Sequence, residues 1–108
     1  MIKAQTIAEI LSLYQKHGWI LRRVLLSDAL KKSLDNSLKT LFGEVEIFSS
    51  ELDGAWFSRV SAHGEAWELR RLSDAPFALI EVFKTDIDET ERETILRATE
   101  QKMNQPKG

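Results

Sequence analysis

EVEIFSSELDGAWFSRVSAHGEAWELRRLSDAPFALIEVFK, residues 44–84, is the stretch whose reading decides the fold. Three turn signals, Asp53-Gly54, His63-Gly64 and Asp74-Ala75-Pro76, divide it into strand-like runs at Glu44–Ser49, Ala55–Ser61, Glu65–Leu72 and Phe77–Lys84. Tight turns join neighbouring antiparallel strands, so this spacing predicts a four-stranded antiparallel meander. A two-residue turn at His63-Gly64, where Gly accepts the positive φ of a primed turn, sets Val60 opposite Trp67 and Arg59 opposite Glu68. A four-residue Ser73–Pro76 loop sets Leu69 opposite Ile80, Trp67 opposite Val82 and Glu68 opposite Glu81. One face then collects Trp56, Val60, Trp67, Leu69, Ile80 and Val82, an apolar set that reads as core. The other collects Phe57, Arg59, Glu68, Arg70, Leu79, Glu81 and Phe83.

Helical patterns flank the meander. Thr6 and Glu9 form a T-x-x-E capping box, and Ile7, Ile10, Leu11 and Tyr14 make one apolar stripe that ends at His17-Gly18. Trp19 to Leu26 fits two patterns: Trp19, Leu21 and Leu25 alternate as in a strand, and Ile20, Leu21, Val24 and Leu25 suit a helix. A fifth strand is preferred, since Gly18 stops one helix and Ser27-Asp28 opens another. A second helix is expected over 28–42, with Asp35-Asn36-Ser37 as its weak point and Gly43 as its end. A third begins near Asp86 or Asp88, carries the stripe Ile95, Leu96, Thr99 and Met103, and frays from Gln105 to Gly108. The expectation is a single α+β domain over residues 1–108, its three helices packed mainly on one face of the sheet.

Composition narrows function mainly by exclusion. The 108 residues are 43% hydrophobic and 30% charged, close to globular averages. A formal net charge of −2 gives no electrostatic signature for nucleic acid. Arg22-Arg23 and Arg70-Arg71 lie on expected strands, where adjacent side chains point to opposite faces, so neither pair is expected to form a patch. Glu9 interrupts the only leader-like apolar run, and no run approaches a membrane span. The expected setting is cytoplasmic, with no membrane partner.

The chemistry of sites is sparse. There is no Cys, hence no thiol nucleophile, disulfide or thiolate metal site. His17 sits where a helix dipole favours a cation, and His63 in a turn; with Glu65 and Glu68 it lacks a metal-ligand spacing. No G-x-S-x-G elbow or Gly-rich phosphate loop occurs, no cofactor is implied, and whether the chain is an enzyme stays open. The candidate binding residues are therefore those of the mixed face: Phe57, Arg59, Glu68, Arg70, Leu79, Glu81 and Phe83. Such a face is either a solvated surface or one that meets a partner, the first expectation being a second copy of the chain or another protein. The alternative is a ligand or substrate site in which Arg59, Arg70 and Glu81 hold a small anion.

Overall fold

The run after Gly18 is a strand, and it lies inside the sheet rather than at its margin. Residues 1–105 are described by the structure, a computed structural model. The elements are α1 (Ala4–Lys16), β1 (Ile20–Leu26), α2 (Asp28–Leu34), a 3₁₀ turn (Asp35–Ser37), α3 (Leu38–Phe42), β2 (Glu46–Ser49), β3 (Gly54–Ser61), β4 (Gly64–Arg71), β5 (Ala78–Phe83) and α4 (Glu89–Asn104). The five strands lie in the order β2-β1-β3-β4-β5, with β1 and β2 parallel and every other pair antiparallel. The α+β class holds, with β3–β5 as the meander and β1 as the fifth strand. The long segment through α2 and α3 supplies the crossover that a parallel pair needs. The expected tail lies, beyond Gln105, outside the described residues.

Local chemistry explains where elements begin and end. Ser27 Oγ accepts from the Leu30 amide at 3.2 Å and caps α2. Asp35 breaks the second helical pattern with a φ of 37°, at the expected weak point. Gly18, at φ 84°, ends α1 in the left-handed region. The Thr6–Glu9 box does not form, because α1 already starts at Ala4 with Lys3 as its cap residue.

Two connections differ from the expected turns. Asp53-Gly54 is not a hairpin, because β1 lies between β2 and β3. The Asp53 carboxylate instead accepts from the Ser27 amide at 2.7 Å and from Ser27 Oγ at 3.2 Å, tying this connection to the end of β1. In the β3–β4 hairpin Ser61 pairs with Gly64, so Ala62-His63 is the turn. That shift moves every pair by two residues and leaves the faces as expected.

The β4–β5 register is off by one, and this changes faces. The Arg71 amide donates to the Phe77 carbonyl at 2.9 Å, so the loop holds the five residues Leu72–Pro76 rather than four. An odd loop reverses the parity: Trp67 faces Glu81, Leu69 faces Leu79, Glu65 faces Phe83 and Glu68 faces Ile80. Pro76 has no amide to donate, and Leu72 donates to the Asp53 carbonyl instead of continuing the ladder. The slip buries Phe83, and with Phe77 and Leu79 it packs against the Leu96 side of α4, while Ile80 and Val82 stay 53% and 68% exposed. Two aromatics and a Leu outweigh Ile and Val as buried surface. Val60, expected in the core, is 75% exposed near the end of β3.

Two cores result, one on each side of the sheet. Ile7, Ile10, Leu30, Leu34 and Phe42 from α1–α3 pack on Val24, Leu26, Ala55 and Phe57. Leu96 and Met103 of α4 pack on the opposite face with Leu25, Trp56, Trp67, Leu69 and Phe83. Two of the three expected helices thus share one face, and the last covers the other. β1 carries a bulge between Leu21 and Arg23, so that Leu21 and Val24 both serve the α1–α3 face although three residues apart.

Candidate functional site

The α1–α3 layer stops short of the sheet's far side. Glu68 and Arg70 on β4 are half-buried there, and Ala78, Ile80 and Val82 on β5 are exposed. Where the layer ends, the last turn of α1 and the uncovered strands enclose an open cleft of about 490 Å³. Its walls are Leu13, Tyr14, His17, Trp19, Arg59, Glu68, Arg70 and Pro76.

Tyr14 forms the floor. Helical spacing carries it onto the sheet beside Ile7 and Ile10, where its ring stacks on buried Phe57 at 4.0 Å between centroids and 12° between planes. Trp19, just past Gly18, meets the same ring edge-on at 6.1 Å. The Tyr14 hydroxyl donates to the Glu68 carboxylate. Burial, and then this bond to an anion, hold the phenol well above its ordinary range.

The cations are arranged differently. The Arg59 guanidinium lies 4.7 Å from the Trp19 ring centroid and donates to the His17 carbonyl at 3.2 Å. Arg70 donates to the carbonyl of Arg71. Glu68 is engaged by Tyr14, and no ion pair ties it to either arginine. The cleft therefore offers two guanidinium groups over an aromatic floor, with the carboxylate already occupied by a hydroxyl.

Of the residues singled out from sequence, the structure brings together Phe57, Arg59, Glu68 and Arg70. Phe57 is buried beneath Tyr14 and supports the floor rather than lining the cleft. Leu79, Glu81 and Phe83 are on the opposite face: Glu81 accepts from Thr99 Oγ1 at 3.1 Å, and Leu79 and Phe83 pack among the residues under α4. Glu81 therefore cannot share a ligand with Arg59 and Arg70. Sequence reasoning placed Tyr14 on the apolar stripe of a helix and Trp19 at the start of the following run, and missed their part in the cleft. The available signal was Tyr14 itself, since a hydroxyl on an apolar helical stripe needs a polar partner.

Among the described residues no group of three or more His, Asp or Glu is placed to hold a metal, and no helix is long and apolar enough to cross a membrane. Comparison of the chain with family models, with curated proteins and with solved structures returns no match. Fold and cleft define an α+β architecture with a helix layer on each side of the sheet, one of them incomplete.

Proposed function

We propose that this chain is a binding module that holds a small organic anion, one with a flat apolar body, in the cleft between α1 and β3–β4. The observation that carries this reading is the pairing of an aromatic floor, Tyr14 and Trp19, with Arg59 and Arg70 around one concavity. Ligand sites of this kind span about 300–1,000 Å³ and combine apolar walls with a few oriented polar groups, a range that includes this cleft. A guanidinium matches a carboxylate or sulfonate with two parallel hydrogen bonds, and the ring faces take the apolar body. The one hydroxyl–carboxylate pair at the cleft, Tyr14 with Glu68, holds a phenol made harder to ionise, which favours binding over catalysis.

A titration of nitrogen-15-labelled protein with 2-naphthoate tests this. Amide shifts confined to the ends of α1 and β3–β4, and a loss of affinity of at least about tenfold in Arg59→Gln and Arg70→Gln, are expected. Absence of saturable shifts, or equal affinity in both variants, removes the reading.

A second reading, self-association, is favoured by one separate observation: β5 is an unpaired edge strand carrying exposed Ile80 and Val82. Pairing it antiparallel with a second copy, Ile80 opposite Ile80, sets Val82 against Ala78 and Glu81 against Leu79, so no like charges meet. Sedimentation equilibrium decides it; a strict monomer at about 100 μM rules out this dimer.

A further inference from the structure

Three guanidinium groups crowd a single indole on the α4 side of the sheet, away from the cleft just described. Adjacent residues of a regular strand diverge, but the β1 bulge brings Arg22 and Arg23 to the same side. Their guanidinium carbons lie 5.1 and 5.7 Å from the Trp67 ring centroid, and Arg92 of α4 adds a third at 5.3 Å. With Arg97 they line a cleft of about 310 Å³. The expectation that Arg22-Arg23 forms no patch is overturned by that one extra residue.

Charge compensation in this cleft is uneven. Arg23 forks onto Glu93 with bonds of 2.7 and 3.0 Å, so that pair is closed. Among the described residues the one ion pair of Arg92 is with Glu65, at 3.8 Å, and the same Glu65 oxygen already accepts from the Trp67 indole at 2.6 Å. Its Nε is buried without an acceptor among the described residues. Arg22 and Arg97 form no hydrogen bond or ion pair among them. Glu46 and Glu89 also border the cleft, and both are exposed to water. Like charges gathered around one ring, with the exposed Arg22 and Arg97 unpaired beside it among the described residues, make a positive concavity that attracts an anion.

We propose that this cleft binds a small phosphate monoester, with Arg22, Arg92 and Arg97 on the phosphoryl oxygens. The Arg23–Glu93 pair positions the bulge against α4. A phosphoryl group offers three terminal oxygens in different directions, which suits forked donors arriving from a strand and from a helix; a carboxylate offers two in one plane. An adjoining pocket of about 140 Å³ shares Arg23, Phe48 and Arg97 and is also bordered by Leu25, Ser49, Ser50 and Glu100, whose oxygens suit the hydroxyls of the ester rather than its phosphoryl group.

Isothermal titration with inorganic phosphate and with ribose 5-phosphate tests the assignment. Both are expected to bind, the ester more tightly. Arg22→Gln and Arg97→Gln, both at exposed positions that leave the core intact, should each weaken ester binding at least about tenfold. Lys31→Gln, a surface change on α2, should leave it unaltered. No binding of either probe at about 10 mM overturns the proposal. Equal weakening by Lys31→Gln, the mark of diffuse attraction, overturns it too, and so does an ester that binds no more tightly than phosphate.

Discussion

Tyr14→Phe isolates a single interaction. The substitution keeps the ring stacked on Phe57 and edge-on to Trp19 and removes only the hydroxyl that donates to Glu68. A hydrogen bond to a charged partner contributes about 1.5–3 kcal/mol net, and both partners here are half-exposed, so water replaces part of the loss. The expected cost is therefore about 1.5 kcal/mol at neutral pH, or roughly 6 °C in Tm for a domain of this size. The sign of the pH dependence follows from the raised phenol. A group with a raised folded pKa contributes stability that is complete below its unfolded value, about 10 for Tyr, and lost as pH climbs toward the folded value. The gap between the native chain and Tyr14→Phe should accordingly narrow above about pH 10. Tyr14 is the only tyrosine, so near-ultraviolet absorbance follows its ionisation without interference from another phenol. Urea midpoints of both proteins across neutral and alkaline pH supply the stabilities. Tyrosinate appearing in the folded protein near the ordinary value, with a neutral effect of the substitution, would refute the argument that the Tyr14–Glu68 bond closes the cleft floor.

Three further outcomes follow from the register and the charge pairs. Phe83→Ala should cost about 3–5 kcal/mol and Val82→Ala less than about 0.5 kcal/mol in urea unfolding, since only the first is buried; the opposite order would restore the other β4–β5 register. Gly64→Ala should destabilise by about 3 kcal/mol, because φ is +143° and a Cβ would sit 2.0 Å from the Phe83 carbonyl oxygen; an unchanged Tm would contradict that close approach. The hydrogen bonds from Arg23 hold the Glu93 carboxyl below its usual range, so the pair's contribution is present above the unfolded value and lost as pH falls through the folded one. Glu93→Gln should flatten the acid limb of stability by about 1 kcal/mol or less, read from urea midpoints at neutral and acid pH.

Turn residues made the strands of the meander legible by separating them; period-two burial holds in β5, whereas β3 is buried without a break from Gly54 to Ser58 because helices cover both of its faces. Face assignment survived in β3–β4, where both the expected and actual turns have two residues. It failed in β5, where both alternating sets, Ile80-Val82 and Leu79-Phe83, are apolar and the expected loop length carried the decision over the larger buried surface of the second set. Nothing local in Ser73–Pro76 says that Leu72 turns away to meet Asp53, a partner from another connection. The parallel β1–β2 pair was hidden for the same reason, since strand order is a tertiary fact. For the cleft, Arg59, Glu68 and Arg70 could be grouped by register, but Tyr14 and Trp19 enter from a helix end whose position over the sheet no periodicity gives. The bulge left one trace in the pattern: Leu21 and Val24 share a face at a spacing of three.

Asp53 also bears on the order in which the chain assembles. β2 and β3 are consecutive in sequence and joined by a short Asp-Gly connection, the local signal of a hairpin, yet another strand must end up between them. A hairpin closes within about 1–10 μs, far sooner than distant segments of a chain find one another. Early β2–β3 pairing would occupy the very edges that β1 requires and would have to unzip before the sheet could complete. By gripping the amide and hydroxyl of Ser27, Asp53 rewards the arrangement in which the first strand has already arrived and withholds that reward from the premature hairpin. The carboxylate is in effect a local check on a mispaired sheet, placed at the one connection where mispairing is quickest.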